Sequence, residues 1–510
     1  MASNDNVPTA VTSSINKKLR VLLIPILATS HIGPFTELAI SLAATNDAVE
    51  ATVAVTPANV SIVQSMLEHR GGHSVKVATY PFPAVDGLPE GVENFGSAAT
   101  PEQSMCIMVA TKSEALTRPV HETLIRSQSP DAVVTDMTFL WNSGIAAELG
   151  VPCVVFSVMG AFSMLAMHHL EDAGVDRDDQ DDDDDDDAVV EVPGFPGPPI
   201  RIPRTELPGF LRRPDYSITN LFISLKAANC FGLAMNTSSE LEKQYCELYT
   251  TPPEEGGGGL RRAYFLGPLA LALPPPISSS SSSSSDCCSI MAWLDSKPSR
   301  SVVYVSFGSM AHVKDVQLDE LALGLETSGI SFLWVVRGRE EWSPPKGWEA
   351  RVQDRGFIIR AWAPQISILG HHAAGAFVTQ CGWNSVLETV AAAVPMLTWP
   401  LAFEQFITER LVTDVLGIGV RLWPDGAGLR SESYQEHEVI PRQDVARALV
   451  EFMRPAAGGP SSIRDMARTK LMDLSAKLHA AVAQGGSSHR DLHRLVDDLL
   501  MEAAAKRPRT

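Results

Sequence analysis

The chain has 510 residues, 45% of them apolar, seven scattered cysteines and a formal net charge of −19 at pH 7. That length is too great for one hydrophobic core and implies two large domains. The acidic balance argues against sequence-independent binding to nucleic acid, and an odd cysteine count without a CxxC pair suggests neither a disulfide framework nor a zinc site.

Much of the charge is local. The stretch 171–187, "EDAGVDRDDQDDDDDDD", holds twelve acids and one arginine, a local charge of −11 that leaves the remainder near −8. The N-terminus, "MASNDNVPTAVTSSINKKLR", is polar and has no apolar signal-peptide core, so residues 1–18 are expected to be disordered and the chain cytoplasmic. No apolar run approaches the roughly 18–20 residues of a membrane span.

In chain order, "LRVLLIPILA" (19–28) reads as a buried strand, and after "TSHIG" a helix is expected to begin at Pro34. Further strand–helix units follow: "VEATVAV" (49–55) before "NVSIVQSMLEH", and "DAVVTD" (131–136) before "SGIAAELG". Apolar strands alternating with helices predict a parallel sheet covered on both faces. The aspartate run at 181–187 could be read as the DxD metal site of some sugar-transferring enzymes, but a homopolymer without a flanking strand reads as a solvated loop, placed at about 171–188. A Ser/Pro-rich linker is expected at 269–290, dividing an N-terminal domain (19–268) from a C-terminal one (291–480), with residues 481–510 as a closing segment.

The second domain restarts the pattern with "SVVYVSFGS" (301–309), "DVQLDELALGLETS", "SFLWVVR" (331–337), "GFIIRAWAP" (356–364), "GAFVTQ" (375–380) and "PMLTWP" (395–400). The predicted class is therefore α/β: two Rossmann-like, doubly wound parallel-sheet domains. In open α/β sheets, ligands bind beyond the carboxyl ends of the strands. Gln380–Ser385 lies at such a strand-to-helix junction. Gly382 permits close backbone approach, the helix start offers free N–H groups to an anion, and Gln380, Asn384 and Ser385 add neutral donors. Glu388, one turn beyond Asn384, could accept from ribose hydroxyls, so the junction suits a nucleotide. The same residues also fit a buried strand and a merely capped helix.

The surrounding 44 residues, "WAPQISILGHHAAGAFVTQCGWNSVLETVAAAVPMLTWPLAFEQ" (362–405), resemble without gaps the donor-binding signature of plant secondary-product UDP-glycosyltransferases, the family-1 inverting group. "WLDSKPSRSVVYVSFGS" (293–309), "FLGPL" (265–269), "MNTSSELE" (235–242) and "GGSS" (485–488) look like further landmarks of that family. The resemblance implies two domains facing across a cleft, the GT-B arrangement, with a C-terminal helix returning to the N-terminal domain. It implies that Trp362 stacks on uracil, the Ala363 backbone reads the base edge, and Gln365 and Glu388 bind ribose. Ser309, Gln380, Asn384 and Ser385 would contact the diphosphate, and Trp383, Glu404 and Gln405 the sugar hydroxyls. The terminal glutamine points to UDP-glucose as donor. Two positions depart from the pattern: Gln380 replaces a histidine and Ala393 a common glycine, the latter expected to be a packing substitution.

Transfer to a hydroxyl needs a general base that titrates near neutrality, which favours histidine. His31 lies in the loop after the first strand, where it could equally be an ordinary surface residue. The resemblance places the family's base here, with Ser30 in place of the usual glycine, and gives it Asp136 as carboxylate partner. The alternative for Asp136 is a helix N-cap. Good leaving-group chemistry from a held UDP needs no metal, and no metal cluster is legible. The absence of GxGxxG after any strand argues against a nicotinamide oxidoreductase, and the absence of GxSxG against an α/β-hydrolase. The expected partners are UDP-glucose and a small apolar acceptor held by loops 80–96, 137–141 and 192–211, in a protein without nucleic acid or membrane span and monomeric. A pseudoenzyme that binds nucleotide sugars without turnover remains the alternative, because of Gln380.

Overall fold

Short β-branched runs dominate the central strands. Ala132–Asp136 and Val302–Ser306 are buried at every position, as strands covered by helices on both faces must be. The computed structural model describes residues 18–174, 188–208, 211, 230–252, 259–273, 284–309, 313–337, 342–423, 437–454 and 462–505. The expected disordered N-terminus up to residue 17, the aspartate run and the serine run up to residue 283 lie outside the described residues.

In the N-terminal domain, β1 (Leu19–Ile24), β2 (Val49–Val55), β3 (Lys76–Thr79), β4 (Ala132–Asp136) and β5 (Cys153–Ser157) precede a small antiparallel hairpin, β6 (Val189–Glu191) and β7 (Arg201–Pro203). With β8 (Gly232–Met235) and β9 (Ala263–Phe265), the main sheet has the order β3-β2-β1-β4-β5-β8-β9, parallel throughout. The C-terminal domain contributes β10 (Val302–Ser306), β11 (Ser331–Val335), β12 (Gly356–Ile359), β13 (Ala374–Thr379), β14 (Met396–Thr398) and β15 (Gly419–Arg421). Their order is β12-β11-β10-β13-β14-β15, again all parallel. Each sheet winds outward in both directions from its first strand, so strand order reverses between β1 and β4 and between β10 and β13. Those reversals open the crevices in which doubly wound sheets hold ligands. The two sheets face one another across a cleft, the GT-B fold.

Each sheet has an apolar layer on both faces. A further core joins the domains: Phe162, Met164, Leu165 and Tyr245 pack with Trp383, Val386, Ile407 and Leu411. The final helix, Ser487–Ala505, buries Leu495, Val496 and Leu499 in the N-terminal domain's core and is tied to β9 by Phe265 N–H donating to Asp491 Oδ2 at 2.8 Å. Within the stretch read as linker, Leu269–Ala272 forms a helical turn and Ser284–Asp295 a helix.

The first helix differs from its expectation. It runs Thr29–Thr45, with Pro34 inside it, so His31 occupies the first helical turn rather than a loop.

Candidate active site

His31 and Asp136 meet at the reversal point of the N-terminal sheet. His31 stands just beyond β1 and Asp136 ends β4, the adjacent parallel strand, so 105 residues of separation collapse to 2.7 Å between His31 Nδ1 and Asp136 Oδ2. Asp136 is fully buried and divides its oxygens: Oδ1 accepts from Thr138 N–H at 3.0 Å, capping the turn Met137–Phe139, while Oδ2 faces the imidazole. Asp136 therefore caps the turn and contacts His31 at the same time. Burial works to raise its pKa, but His31 and the Thr138 hydrogen bonds outweigh it and hold the carboxyl below its ordinary range. An ionised Asp136 accepts the Nδ1 proton, which fixes the tautomer and leaves Nε2 as the lone-pair nitrogen. The His31 side chain is 22% exposed.

The matching reversal in the C-terminal sheet gathers the residues of the nucleotide box. The helix Trp383–Ala391 starts one residue earlier than Asn384, and its N-cap is Gly382, which has no side chain to offer. Neither Asn384 nor Ser385 caps it, so its end is open toward an anion. Beside it, Gly308 closes the loop after β10 at φ +76°, and a Cβ there would lie 2.3 Å from Gln380 Nε2. The Gln380 amide thus points its Nε2 at Gly308 in the cradle, a donor group without charge.

One edge of the cradle is a connected polar network. Gln365 Nε2 donates to Glu388 Oε2 at 2.8 Å and to Ser385 Oγ at 3.0 Å, while Tyr304 Oη donates to Gln365 Oε1 at 3.2 Å. Burial pushes the Glu388 pKa up to about 7, against the opposing effects of Gln365 and Arg70. Next to this network Trp362 is 67% exposed, whereas Ala363, one residue on, is buried. An exposed indole of this size offers a flat apolar face to solvent. At the other edge, Gln405 Oε1 accepts from the N–H groups of Leu401 and Ala402 at 3.0 and 3.1 Å, so only its NH2 can be turned outward. Glu404 is half-buried at the start of the same helix. Burial raises its pKa.

A family model described as "UDP-glucoronosyl and UDP-glucosyl transferase" matches residues 280–421. UDP-glycosyltransferase 73B3 of Arabidopsis thaliana is 33% identical over 511 residues, covering 96% of this chain and 99% of that protein. The chain belongs to the plant UDP-glycosyltransferases. UDP-glucose flavonoid 3-O-glucosyltransferase 7 of Fragaria ananassa is 34% identical, with 95% and 96% of the two chains covered. The crystal structure of Glycyrrhiza uralensis UGT73P12, complexed with glycyrrhetinic acid 3-O-monoglucuronide, superposes with a TM-score of 0.79 at 32% identity, over 96% of this chain and 97% of that one. As a family-1 inverting UDP-glycosyltransferase, this protein is a UDP-sugar-dependent enzyme of small acceptors.

Two residues of the box face the other domain of this glycosyltransferase. The Trp383 ring is 3% exposed within the core between the domains, and its Nε1–H donates to Asn236 O at 2.9 Å. Asn384 turns its amide to Ser30 and Asn236. Asn236, in the "MNTSSELE" landmark, was not legible as a site residue, because a lone asparagine after a strand carries no signal of the indole that will reach it. Two of the loops expected to hold the acceptor come together: Tyr80 and Phe139 pack edge-on against the buried His121 ring, at centroid distances of 5.2 and 4.7 Å. The third, 192–211, includes the turn and second strand of the hairpin β6–β7 and, beyond it, Glu206, which forms a buried ion pair with Arg410.

The fold also assembles a group the sequence did not reveal: Asp295, His371 and His372, whose ligand atoms lie within 4.8 Å of one another. His371 Nδ1 accepts from Ala373 N–H at 3.2 Å, so the ring proton sits on Nε2 and is donated to Asp295 Oδ1 at 3.1 Å. With its lone pair used and its other nitrogen protonated, His371 is arranged as a hydrogen-bonding residue, and a cation would have to displace both contacts.

Proposed function

We propose that this glycosyltransferase moves glucose from UDP-glucose to a hydroxyl of a small, largely apolar acceptor of the flavonoid, phenolic, terpenoid or hormone type, giving a β-glucoside. The observation that carries the reading is the 2.7 Å pair of His31 and buried Asp136, facing a cradle with an open helix end. In the proposed reaction, His31 Nε2 takes the proton of the acceptor hydroxyl as its oxygen attacks C1 of the α-linked glucose. The C1–O bond to the diphosphate breaks with its electron pair, UDP departs, and the anomeric centre inverts. Asp136 stabilises the imidazolium that forms, as the carboxylate of a catalytic triad does.

Most residues assigned from the resemblance have chemistry suited to their proposed roles; the Trp383 indole, buried between the domains and bonded to Asn236 O, is the exception. Trp362 offers a stacking face to uracil, and Ala363 a backbone beside it. Gln365 and Glu388 offer an amide and a carboxylate, a pair suited to vicinal ribose hydroxyls. The N–H groups that open the helix at Trp383, together with Ser385, Ser309 and the Gln380 amide, suit the diphosphate, and Glu404 with the Gln405 NH2 suits sugar hydroxyls. Glucose as donor is supported by that final glutamine and by the name of the strawberry relative.

The test is incubation of the full chain with UDP-glucose and a pooled acceptor library, read by mass spectrometry for products carrying one added hexosyl unit. Wild type should give such products and His31→Ala none, with UDP binding retained. One observation favours a second reading, a nucleotide-sugar-binding protein without turnover: the cradle's Gln380 carries no charge. Tight UDP binding with no product from any acceptor would support it.

A further inference from the structure

The turn beyond Asp136 is held from behind as well as in front. Successive side chains of a strand point to opposite faces, so Thr135 points away from the His31 side of β4. There its hydroxyl accepts from Asn142 Nδ2 at 2.9 Å. Asn142 Oδ1 has no proton to give, so its 3.2 Å contact with His121 Nδ1 is donated by the imidazole. The Thr135 hydroxyl proton faces two carbonyls, those of Asp136 and Phe139, each at 3.4 Å. These carbonyls lie at the two ends of the turn Met137–Phe139. A chain of hydrogen bonds therefore runs from the helix Glu114–Gln128, through the first turn of the helix Trp141–Glu148, to the backbone around that turn.

All three side chains are wholly buried. Out of water each link is electrostatically stronger, and a chain with its links made fixes one arrangement of the segments it joins. His121 also meets the turn directly, its ring edge-on to Phe139 at a centroid distance of 4.7 Å. On the other side, Asp136 Oδ1 holds Thr138 N–H in the middle of the same turn at 3.0 Å, and Oδ2 holds His31 at 2.7 Å. One carboxylate cannot serve both partners unless Thr138 stays where the turn places it.

We propose that Thr135, Asn142 and His121 are positioning residues for the base: their buried chain pins the turn Met137–Phe139 and so aims Asp136 Oδ2 at His31 Nδ1. The inference rests on the reading of His31 as the base and Asp136 as its partner. A displacement of about 1 Å at reacting groups can cost about 100-fold in rate, so a fraction of that at this turn is worth about tenfold.

The test uses the full chain, with kcat, the acceptor KM and the UDP Kd measured on wild type first and kcat expressed per UDP-binding site. Thr135→Val removes the hydroxyl and keeps the shape of the side chain. The expected result is a kcat lower by about tenfold, with the UDP Kd and acceptor KM within about twofold of wild type. Thr135→Ser keeps the hydroxyl and should hold kcat within about threefold of wild type; a serine variant as slow as the valine one would count against the proposal. In an Asp136→Asn background, where the contact with His31 is already lost, Thr135→Val should cost less than about twofold, because its effect passes through Asp136. An unchanged kcat in Thr135→Val overturns the proposal, whatever happens to the melting temperature. An equal loss in both backgrounds overturns it as well, since that marks a general loosening of the domain. If Thr135→Val does not fold, His121→Phe carries the same cycle, with the same expected and contrary results. A wild-type chain that binds UDP and transfers no sugar defeats the functional reading and this proposal with it, whereas an active wild type indifferent to Thr135→Val defeats this proposal alone.

Discussion

Asp136 reaches His31 with one carboxylate oxygen, Oδ2 to Nδ1 at 2.7 Å, while its other oxygen holds Thr138 N–H at 3.0 Å. The division makes an isosteric change informative. In Asp136→Asn the amide oxygen can keep the Thr138 contact, but the NH2 then meets a nitrogen that must also donate, and the imidazole is driven to the other tautomer. We expect kcat to fall by about 10³- to 10⁴-fold with the fold and UDP binding retained. A loss of less than about tenfold in steady-state assays would show that His31 works without this partner.

Trp362 is exposed over two-thirds of its surface, so little folding energy depends on its ring. Trp362→Ala should leave the melting temperature unchanged while weakening UDP binding by about 1–3 kcal/mol, the worth of one base–aromatic stack. Calorimetric titration with UDP measures this directly, and an unaltered Kd would remove the stacking role.

Ala393 was expected to be a packing change, but it has φ +54°, in the left-handed region. It follows the C-terminus of the helix Trp383–Ala391, where glycine adopts this conformation without strain. Ala393→Gly should therefore stabilise the protein by about 1 kcal/mol, read from paired denaturation curves. A destabilised variant would mean that the methyl group's contacts outweigh its backbone strain.

His121 is fully buried, and burial lowers its pKa from the ordinary 6.5 to about 4, with Asn142 opposing. Between those values the unfolded chain binds the proton and the folded one does not. The neutral ring's contribution is thus complete above pH 6.5 and is lost as pH falls toward about 4. Relative to His121→Phe, which keeps an aromatic ring and cannot titrate, wild type should lose about 1.4 kcal/mol of stability for each pH unit in that window. Parallel melting curves at pH 6.5, 5.5 and 4.5 test this, and a constant gap between the two proteins would refute it.

The strands that organise both crevices were legible because each is a run of aliphatic residues bounded by turn signals. The helix Asp315–Ser328 was legible to the residue, from its amphipathic period and the glycine that follows. Shorter strands, β3, β8, β9 and β15, have three or four residues and gain their identity from neighbours in the sheet rather than from a period of their own. The start of the first helix misled for a definite reason. A proline usually opens a helix, but Pro34 sits more than one turn inside a helix that begins at Thr29, a start that no side-chain cap marks. Residues of the nucleotide box were legible as a set through their fixed offsets. Which of them face the other domain was not, because the orientation of Trp383 and Asn384 depends on Asn236, roughly 150 positions away.

The pair between Glu206 and Arg410 carries a practical corollary. Arg410 ends the helix that Gln405 begins, and it also donates to Arg201 O, while Glu206 follows the hairpin of the N-terminal domain; both charged side chains are almost wholly shielded from water. Arg410 also pairs with the buried Glu409 at 3.0 Å, so exchanging the N-terminal half for that of a homologue without Glu206 would remove one of the two carboxylates that flank a buried guanidinium. Chimeras built to retarget this scaffold should therefore graft positions 201–206 and 410 as one module.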